Sequence, residues 1–220
     1  NNKEMILHVY EAAKKTNMGE VYVATPDQKI IDVITNHGGQ AILTSLDHQT
    51  GTDRVYEVFK NELRNEPSLI INLQGDMPNI DSKAISDLVL YMKKGKCDIG
   101  TLASKFVSEE ELTDENNVKV AVKEKIKSGN FGKAVDFFRT SSNIHENIYH
   151  HVGIYAFTNK ALVRYVSLER SKLELERKLE QLRALENDIS IHVGYINSSP
   201  LSVDTKNDLI EVKKIMENNE

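Results

Sequence analysis

Apolar positions along the chain switch between two periods, and the switches come in a regular order. Met5, Ile6, Val9, Ala12 and Ala13 fall at helical spacing, the mark of one buried helix face. Val21-Tyr22-Val23-Ala24 is a short β-rich run closed by Thr25-Pro26-Asp27. Ile30, Ile31, Val33 and Ile34 predict a second helix that stops at His37-Gly38-Gly39, because glycine tolerates the left-handed turn that ends a helix. Ala41-Ile42-Leu43 reads as a strand, and Val55, Val58, Phe59 and Leu63 as a helix. Leu69-Ile70-Ile71-Asn72-Leu73 is the clearest strand, bounded by Pro67 and by Gly75-Asp76-Met77-Pro78. Ala84, Ile85, Leu88, Val89 and Met92 mark a further helix, followed by strand material from Asp98 to Phe106.

Strands alternating with helices predict an α/β fold with a mostly parallel central sheet and helices on both faces. The middle of the chain reads differently. Val118 to Val122 alternates and runs into a Ser128-Gly129-Asn130 turn, as in an antiparallel element. The expectation is one domain over residues 1–220 with a small antiparallel insertion at about 104–150. His151 to Phe157 and Ile189 to Ile196 are strands, and Thr205 to Met216 is the closing helix. A long charged helix is expected from about Ser171 to Glu186. Its Leu173, Leu175, Leu179, Leu182 and Leu185 form a packing or dimer face, with Glu174, Glu180, Gln181 and Arg183 on the solvated side. The chain opens on a helix without an initiator methionine, whereas α/β domains open on a strand. The expectation is that the natural N-terminus, with its phosphate-binding loop, is missing.

Composition narrows the chemistry. The 28 Lys+Arg against 33 Asp+Glu give a net charge of −5, which offers no reason to expect bulk binding to nucleic acid or anionic lipid. Apolar stretches of a few residues are far too short to span a membrane. A single cysteine, Cys97, excludes an internal disulfide framework and a multi-thiolate metal site. The chain has no G-x-G-x-x-G, no G-x-x-x-x-G-K-[ST], no H-E-x-x-H, no C-x-x-C and no G-x-S-x-G. Dinucleotide hydride transfer, P-loop hydrolysis, zinc proteolysis and esterase chemistry therefore drop out.

Ligands of open α/β sheets sit beyond the carboxyl ends of strands, where Gln74-Gly75-Asp76 follows the clearest strand. Asp76 is either a Mg²⁺ ligand or a turn former bonded to its own backbone. Asp204, after the last strand, is either a second ligand or a helix cap, with Thr205-x-x-Asp208 as an alternative capping box. Together the two carboxylates suit a clamp on metal-bound phosphates, as nucleotidyl transfer requires. Asp47 to Arg54 offers Thr50, Gly51, Thr52 and Arg54 before a helix, either as an anion-binding loop or as a plain loop with Thr52 as N-cap. His150 and His151 are adjacent on a strand and cannot chelate one metal together.

Taken in order, these segments resemble one family. They are Asp47 to Arg54, Asn72-Leu73-Gln74-Gly75-Asp76-Met77-Pro78, Asp98 to Ala103, Asn117 to Val120, His151-Val152-Gly153-Ile154-Tyr155, Leu173-Glu174 through Leu179 to Arg183, and Val203-Asp204-Thr205 with Asp208-Leu209. The sequence is similar to the 3-deoxy-manno-octulosonate cytidylyltransferases (CMP-Kdo synthetases) of bacterial lipopolysaccharide synthesis. The resemblance implies a Rossmann-like nucleotidyltransferase fold, CTP and Kdo as substrates, Mg²⁺ as cofactor, a homodimer, and the cytoplasm of a Gram-negative bacterium. It implies that Asp76 and Asp204 hold the metal and that Gln74, His151, Tyr155, Glu180 and Gln181 bind the sugar. Thr50, Gly51, Thr52, Arg54, Gln74 and Gly75 would border the nucleotide.

The chain departs from the family pattern at three places. By the resemblance, an opening strand and basic loop are expected to be missing before Asn1, a longer loop is expected where only Thr140 to Ile148 stand, and a glutamate is expected where Arg177 sits. Two rivals stand beside this reading. One is a cytidylyltransferase for another sugar acid. The other is an inactive dimerising α/β module, favoured by the missing loop and opposed by the retention of both aspartates.

Overall fold

The computed structural model describes residues 3–63, 67–140 and 146–218. The chain divides into two compact units, one of Asn1–Arg64, Gln74–Ser86 and Pro200–Glu220, the other of Asn65–Leu73 and Asp87–Ser199. The first unit begins with α1 (Met5–Lys15), β1 (Tyr22–Thr25), α2 (Gln28–Asn36), β2 (Gln40–Leu43) and α3 (Gly51–Glu62). β1 and β2 pair in parallel, from Tyr22 opposite Gln40 to Thr25 opposite Leu43, with α2 as the crossover. Asp27 caps α2 by accepting the Lys29 N–H at 2.9 Å. Gly38 closes it in the left-handed region, φ 71°, and the Gly39 N–H returns to the Ile34 carbonyl at 2.9 Å. The helix expected over 30–34 and its glycine stop are both present.

The second unit contains β3 (Leu69–Asn72), much of α4 (Ser82–Met92), β4 (Ile99–Ser104), α5 (Glu109–Thr113), β5 (Lys119–Val122), β6 (Phe131–Phe138), β7 (Ile148–Thr158), α6 (Asn159–Val166), α7 (Lys172–Arg177), α8 (Leu182–Glu186) and β8 (Ile191–Tyr195). The last helix, α9 (Lys206–Asn218), belongs to the first unit. Six strands form one sheet in the order β3-β7-β4-β8-β6-β5, and β5 also pairs with β7. The core under it is apolar: Leu102, Val120, Phe137, Ile154, Leu162 and Val193 are all buried. Gly100 allows α4 to lie close on β4, since a Cβ there would come within 2.7 Å of Met92 Sδ and 2.8 Å of Leu88 Cδ1. No helix among the described residues is long and apolar enough to cross a membrane.

The fold is a mixed α/β one, and the expectation of a mostly parallel sheet needs correcting. In the six-stranded sheet only β4 and β8 pair in parallel; the other pairs are antiparallel. The returning strand β7 lies between β3 and β4, and β6 runs antiparallel beside β8, so the only parallel contact of this sheet among the described residues is that of β4 with β8. The antiparallel pairing expected at 104–150 is present, but β5 and β6 extend this same sheet. Residues 141–145 of the shortened 140–148 segment lie outside the described residues. α6, which the sequence reading passed over, is capped by Thr158 accepting the Ala161 N–H at 3.2 Å.

The long helix expected over 171–186 is broken. α7 ends at Arg177, and Lys178 adopts a left-handed conformation, φ 55°. The cause lies in its polar residues, which are buried rather than solvated. Glu174 is 0% exposed, while Leu175 of the expected apolar face is 53% exposed. Glu174 Oε1 and Oε2 take a two-pronged bond from Arg183, Nη2 at 2.6 Å and Nε at 2.8 Å. Arg170 Nε adds a third bond at 3.0 Å and the Ser171 N–H a fourth at 3.1 Å. Arg183 also stacks over the Tyr165 ring, 4.5 Å from its centroid. Turning the chain at Lys178 lets residues nine apart meet, which a straight helix would not allow.

Burial opposes ionisation of Glu174, yet these bonds outweigh it and hold the carboxyl below its usual range. A carboxyl lowered by folding stabilises the folded state above the unfolded pKa, and that contribution is lost as pH falls through the folded value. Removing one partner of a buried pair leaves an uncompensated charge and costs about 3–5 kcal/mol. Urea denaturation of Arg183→Ala at neutral pH is expected to show a loss of about that size. A loss below about 1 kcal/mol, the scale of an exposed pair, would show that this pair does not hold the α7–α8 corner.

Candidate active site

The loop after β3 carries Gln74, Gly75 and Asp76, all half-buried, and in the first unit it meets the segment before α9. Two bonds donated by main-chain N–H groups bind them. The Val203 N–H donates to the Asp76 carbonyl at 2.9 Å, and the Leu201 N–H donates to Asn79 Oδ1 at 3.0 Å. Between these ties sits Ser202, whose Oγ is 2.8 Å from Asp76 Oδ2 and 3.3 Å from Asp204 Oδ2. The two aspartates, far apart in sequence, therefore reach a single hydroxyl. Asp76 Oδ1 is buried and has no hydrogen-bond partner.

Two competing readings of these aspartates can now be weighed. Asp76 bonds Ser202 rather than its own backbone, so it is not a simple turn former. Asp204 is not the cap of α9. That role falls to Thr205 and Asp208, which form the reciprocal capping box: Thr205 Oγ1 accepts the Asp208 N–H at 3.3 Å, and Asp208 Oδ2 accepts the Thr205 N–H at 2.7 Å. The Asp204 N–H also donates to Asp208 Oδ2 at 3.0 Å. These bonds, led by that from the Thr205 backbone, lower the Asp208 carboxyl.

At the start of α3 the cap is Thr50, not Thr52. Thr50 Oγ1 accepts the Asp53 N–H at 3.2 Å and donates to Asp53 Oδ2 at 2.9 Å, whereas Thr52 is buried in the helix. Gly51 opens the helix. Arg54 reaches back to the end of β2, its Nη1 donating to Thr44 Oγ1 at 2.5 Å and to the Ser45 carbonyl at 2.8 Å. His48 Nε2 bonds Glu57 Oε2, and this bond is the main reason the Glu57 carboxyl is held low.

The second unit holds the other expected residues. His151 and Tyr155 lie on β7, on either side of an irregularity in its pairing with β4. Thr101 faces Tyr155, yet the next residue, Leu102, faces Val152. Such a bulge bends the strand and re-aims its side chains. Thr101 Oγ1 fills the gap, bonding the Ile154 carbonyl at 2.7 Å, the Val152 carbonyl at 3.2 Å and His151 Nε2 at 2.9 Å. The hydroxyl has one proton, directed to a carbonyl, so His151 Nε2 donates and Nδ1 is left as an acceptor. His151 is 7% exposed, and burial, with a smaller contribution from His150, pushes its pKa down to about 3. Phe137 meets the ring edge-on at a centroid distance of 5.1 Å, and Tyr155 lies at 5.5 Å. Burial, then the charge of Glu180, raises the Tyr155 hydroxyl well above its ordinary range. Gln181, buried, precedes α8. The Glu180 carbonyl accepts the Tyr165 hydroxyl at 2.9 Å.

Sequence reasoning passed over Ser202 and Thr101. Ser202 had a signal, since residues two apart in an extended segment project to one side and Asp204 was already a candidate. Thr101 had none, because its partner lies 50 residues away. Arg177, the residue that departs from the family pattern, bonds Asp136 Oδ1 at 2.7 Å and the Phe137 carbonyl at 2.9 Å.

The family described as Cytidylyltransferase matches residues 1–191, which places this chain in the cytidylyltransferase class. Among curated proteins, the 3-deoxy-manno-octulosonate cytidylyltransferase of Bartonella henselae is 40% identical over 97% of this chain and 88% of its own length. That of Brucella ovis is 40% identical over 94% of this chain and 83% of its own length. A solved structure of CMP:2-keto-3-deoxy-manno-octonic acid synthetase complexed with CTP superposes with a TM-score of 0.86, at 33% identity, over 98% of this chain and 88% of that one. The chain belongs to the 3-deoxy-manno-octulosonate cytidylyltransferase family.

His151 is therefore a neutral group in the folded protein. Its unfolded pKa is near 6.5, so the unfolded chain takes up a proton below that value that the folded chain refuses, and stability falls as pH drops. Nitrogen-detected NMR of the imidazoles is expected to show His151 neutral, protonated at Nε2, and without titration between about pH 5 and pH 8. Titration near neutrality would contradict this environment.

Proposed function

We propose that the chain transfers the cytidylyl group of CTP to 3-deoxy-manno-octulosonate, giving CMP-Kdo and diphosphate for lipopolysaccharide synthesis. The observation that carries this reading is the convergence of Asp76 and Asp204 on one hydroxyl in a chain of this family. The donor set suits Mg²⁺. Carboxylate oxygens are hard ligands, Asp76 Oδ1 is buried without a competing hydrogen bond, and Mg²⁺ takes few protein ligands when phosphates supply others. Asp76 and Asp204 are the proposed contribution of the protein; among the described residues no group of three or more His, Cys, Asp or Glu gathers as a metal cage. When bound, the cation withdraws charge from the phosphate oxygens.

The first unit supplies the nucleotide contacts: Thr50, Gly51, Thr52 and Arg54 about the start of α3, with Gln74 and Gly75 beside Asp76. The second supplies sugar contacts: His151, Tyr155, Glu180 and Gln181. A neutral His151 and a protonated Tyr155 offer one acceptor and one donor to sugar hydroxyls without adding charge. The anomeric hydroxyl of the sugar attacks the α-phosphorus, and the bond to the β-phosphate breaks on the opposite side. No side chain becomes covalent. The protein's part is to hold both reactants in line and to keep two acidic oxygens where phosphate charge develops.

Both units belong, in this proposal, to one nucleotidyltransferase domain, which the family match across residues 1–191 supports. The homodimer and the cytoplasmic setting rest on the resemblance.

Asp76→Asn and Asp204→Asn keep size and polarity but remove the charge. Each is expected to cut metal-dependent diphosphate release about a thousandfold, equivalent to several kcal/mol of transition-state stabilisation. Circular dichroism and the melting temperature should stay near wild type. An Asp204→Asn protein with full turnover would remove Asp204 from the chemistry.

A further inference from the structure

Asp76 and Asp204 are like charges brought close together, and like charges repel unless something between them is positive or donates a proton. Ser202 stands in that place. Its hydroxyl carries one proton, which the two carboxylates share unequally in a three-centre bond: the main branch goes to Asp76 Oδ2 at 2.8 Å and the weaker one to Asp204 Oδ2 at 3.3 Å. The side chain is exposed and fills no core space, so packing does not explain its position. The backbone on either side is fastened without it, by the Leu201 N–H to Asn79 and the Val203 N–H to Asp76. The fold therefore delivers the hydroxyl to the carboxylate pair and does not depend on the bond it makes there. Asp204 is itself exposed, and its carboxylate has otherwise wide rotamer freedom. The hydroxyl engages only Oδ2 of Asp76 and leaves the buried Oδ1 uncommitted.

We propose that Ser202 is a positioning residue for the divalent cation: its hydroxyl holds the two carboxylates in a shared geometry before the cation arrives. The inference rests on the reading of Asp76 and Asp204 as cation ligands. Without the hydroxyl, Asp204 swings away from Asp76, and the cost of bringing it back is added to cation binding.

The test compares Mn²⁺ binding by wild type, Ser202→Ala, Ser202→Thr and Asp76→Asn. Affinity is measured with CTP present and Kdo absent, from loss of the free-ion electron paramagnetic resonance signal. Ser202→Ala is expected to weaken Mn²⁺ binding about tenfold, the scale of one hydrogen bond to a charged group. Its metal-free melting temperature should be unchanged, and Ser202→Thr, which keeps the hydroxyl, should restore affinity. Wild-type affinity in Ser202→Ala, with Asp76→Asn impaired, would overturn the role of Ser202 and leave the ligand reading intact. Failure of Ser202→Thr to restore affinity would also overturn it, since the hydroxyl would not be the active feature. Equal binding by Asp76→Asn and wild type would sink the ligand reading, and this inference with it.

Discussion

Two acidic side chains that repel each other must be held at one point, and the first unit is arranged to do this. The loop after β3 and the segment before α9 are tied on both sides of Ser202, by the Leu201 N–H to the Asn79 side chain and by the Val203 N–H to the Asp76 carbonyl. Those ties carry the electrostatic burden of keeping two carboxylates at one point. The capping box of Thr205 and Asp208 matters for the same reason. By satisfying the start of α9, it frees Asp204 from the structural role that the sequence allowed it.

The second unit solves the opposite problem. Two of its expected sugar contacts, His151 and Tyr155, are buried among aromatic rings, where charge is costly and neutral donors and acceptors are favoured. The irregularity between β4 and β7 lets Thr101 serve two carbonyls and His151 at once, which fixes the tautomer as well as the ring. The buried pair of Glu174 and Arg183 anchors the corner that carries Glu180 and Gln181.

Much of this was legible in the sequence. Short strands such as Leu69–Asn72 and the glycine stop after α2 follow from local chemistry, and both stand where periodicity puts them. That Asp76 and Asp204 come near each other was legible too, from the rule that ligands gather beyond strand ends, and both reach the Ser202 hydroxyl. Strand order was not. Nothing local says that β7 lies between β3 and β4, so an alternation of strands and helices read as a parallel sheet. The break at Lys178 was hidden for a related reason. The leucines keep a helical rhythm through it, while the force that bends the chain is an ion pair nine residues apart. Ser202 lay between the extremes, visible only after Asp204 was chosen and the segment was taken as extended.

The central claim is that Asp76 and Asp204 share one divalent cation beside a triphosphate. Crystals grown with CTP and Mn²⁺, with anomalous diffraction measured at the manganese edge, test it most directly. The account predicts one anomalous peak bonded to a carboxylate oxygen of each aspartate and to phosphate oxygens of the nucleotide. A peak held by the triphosphate and other side chains, with both aspartates beyond bonding distance, would contradict it.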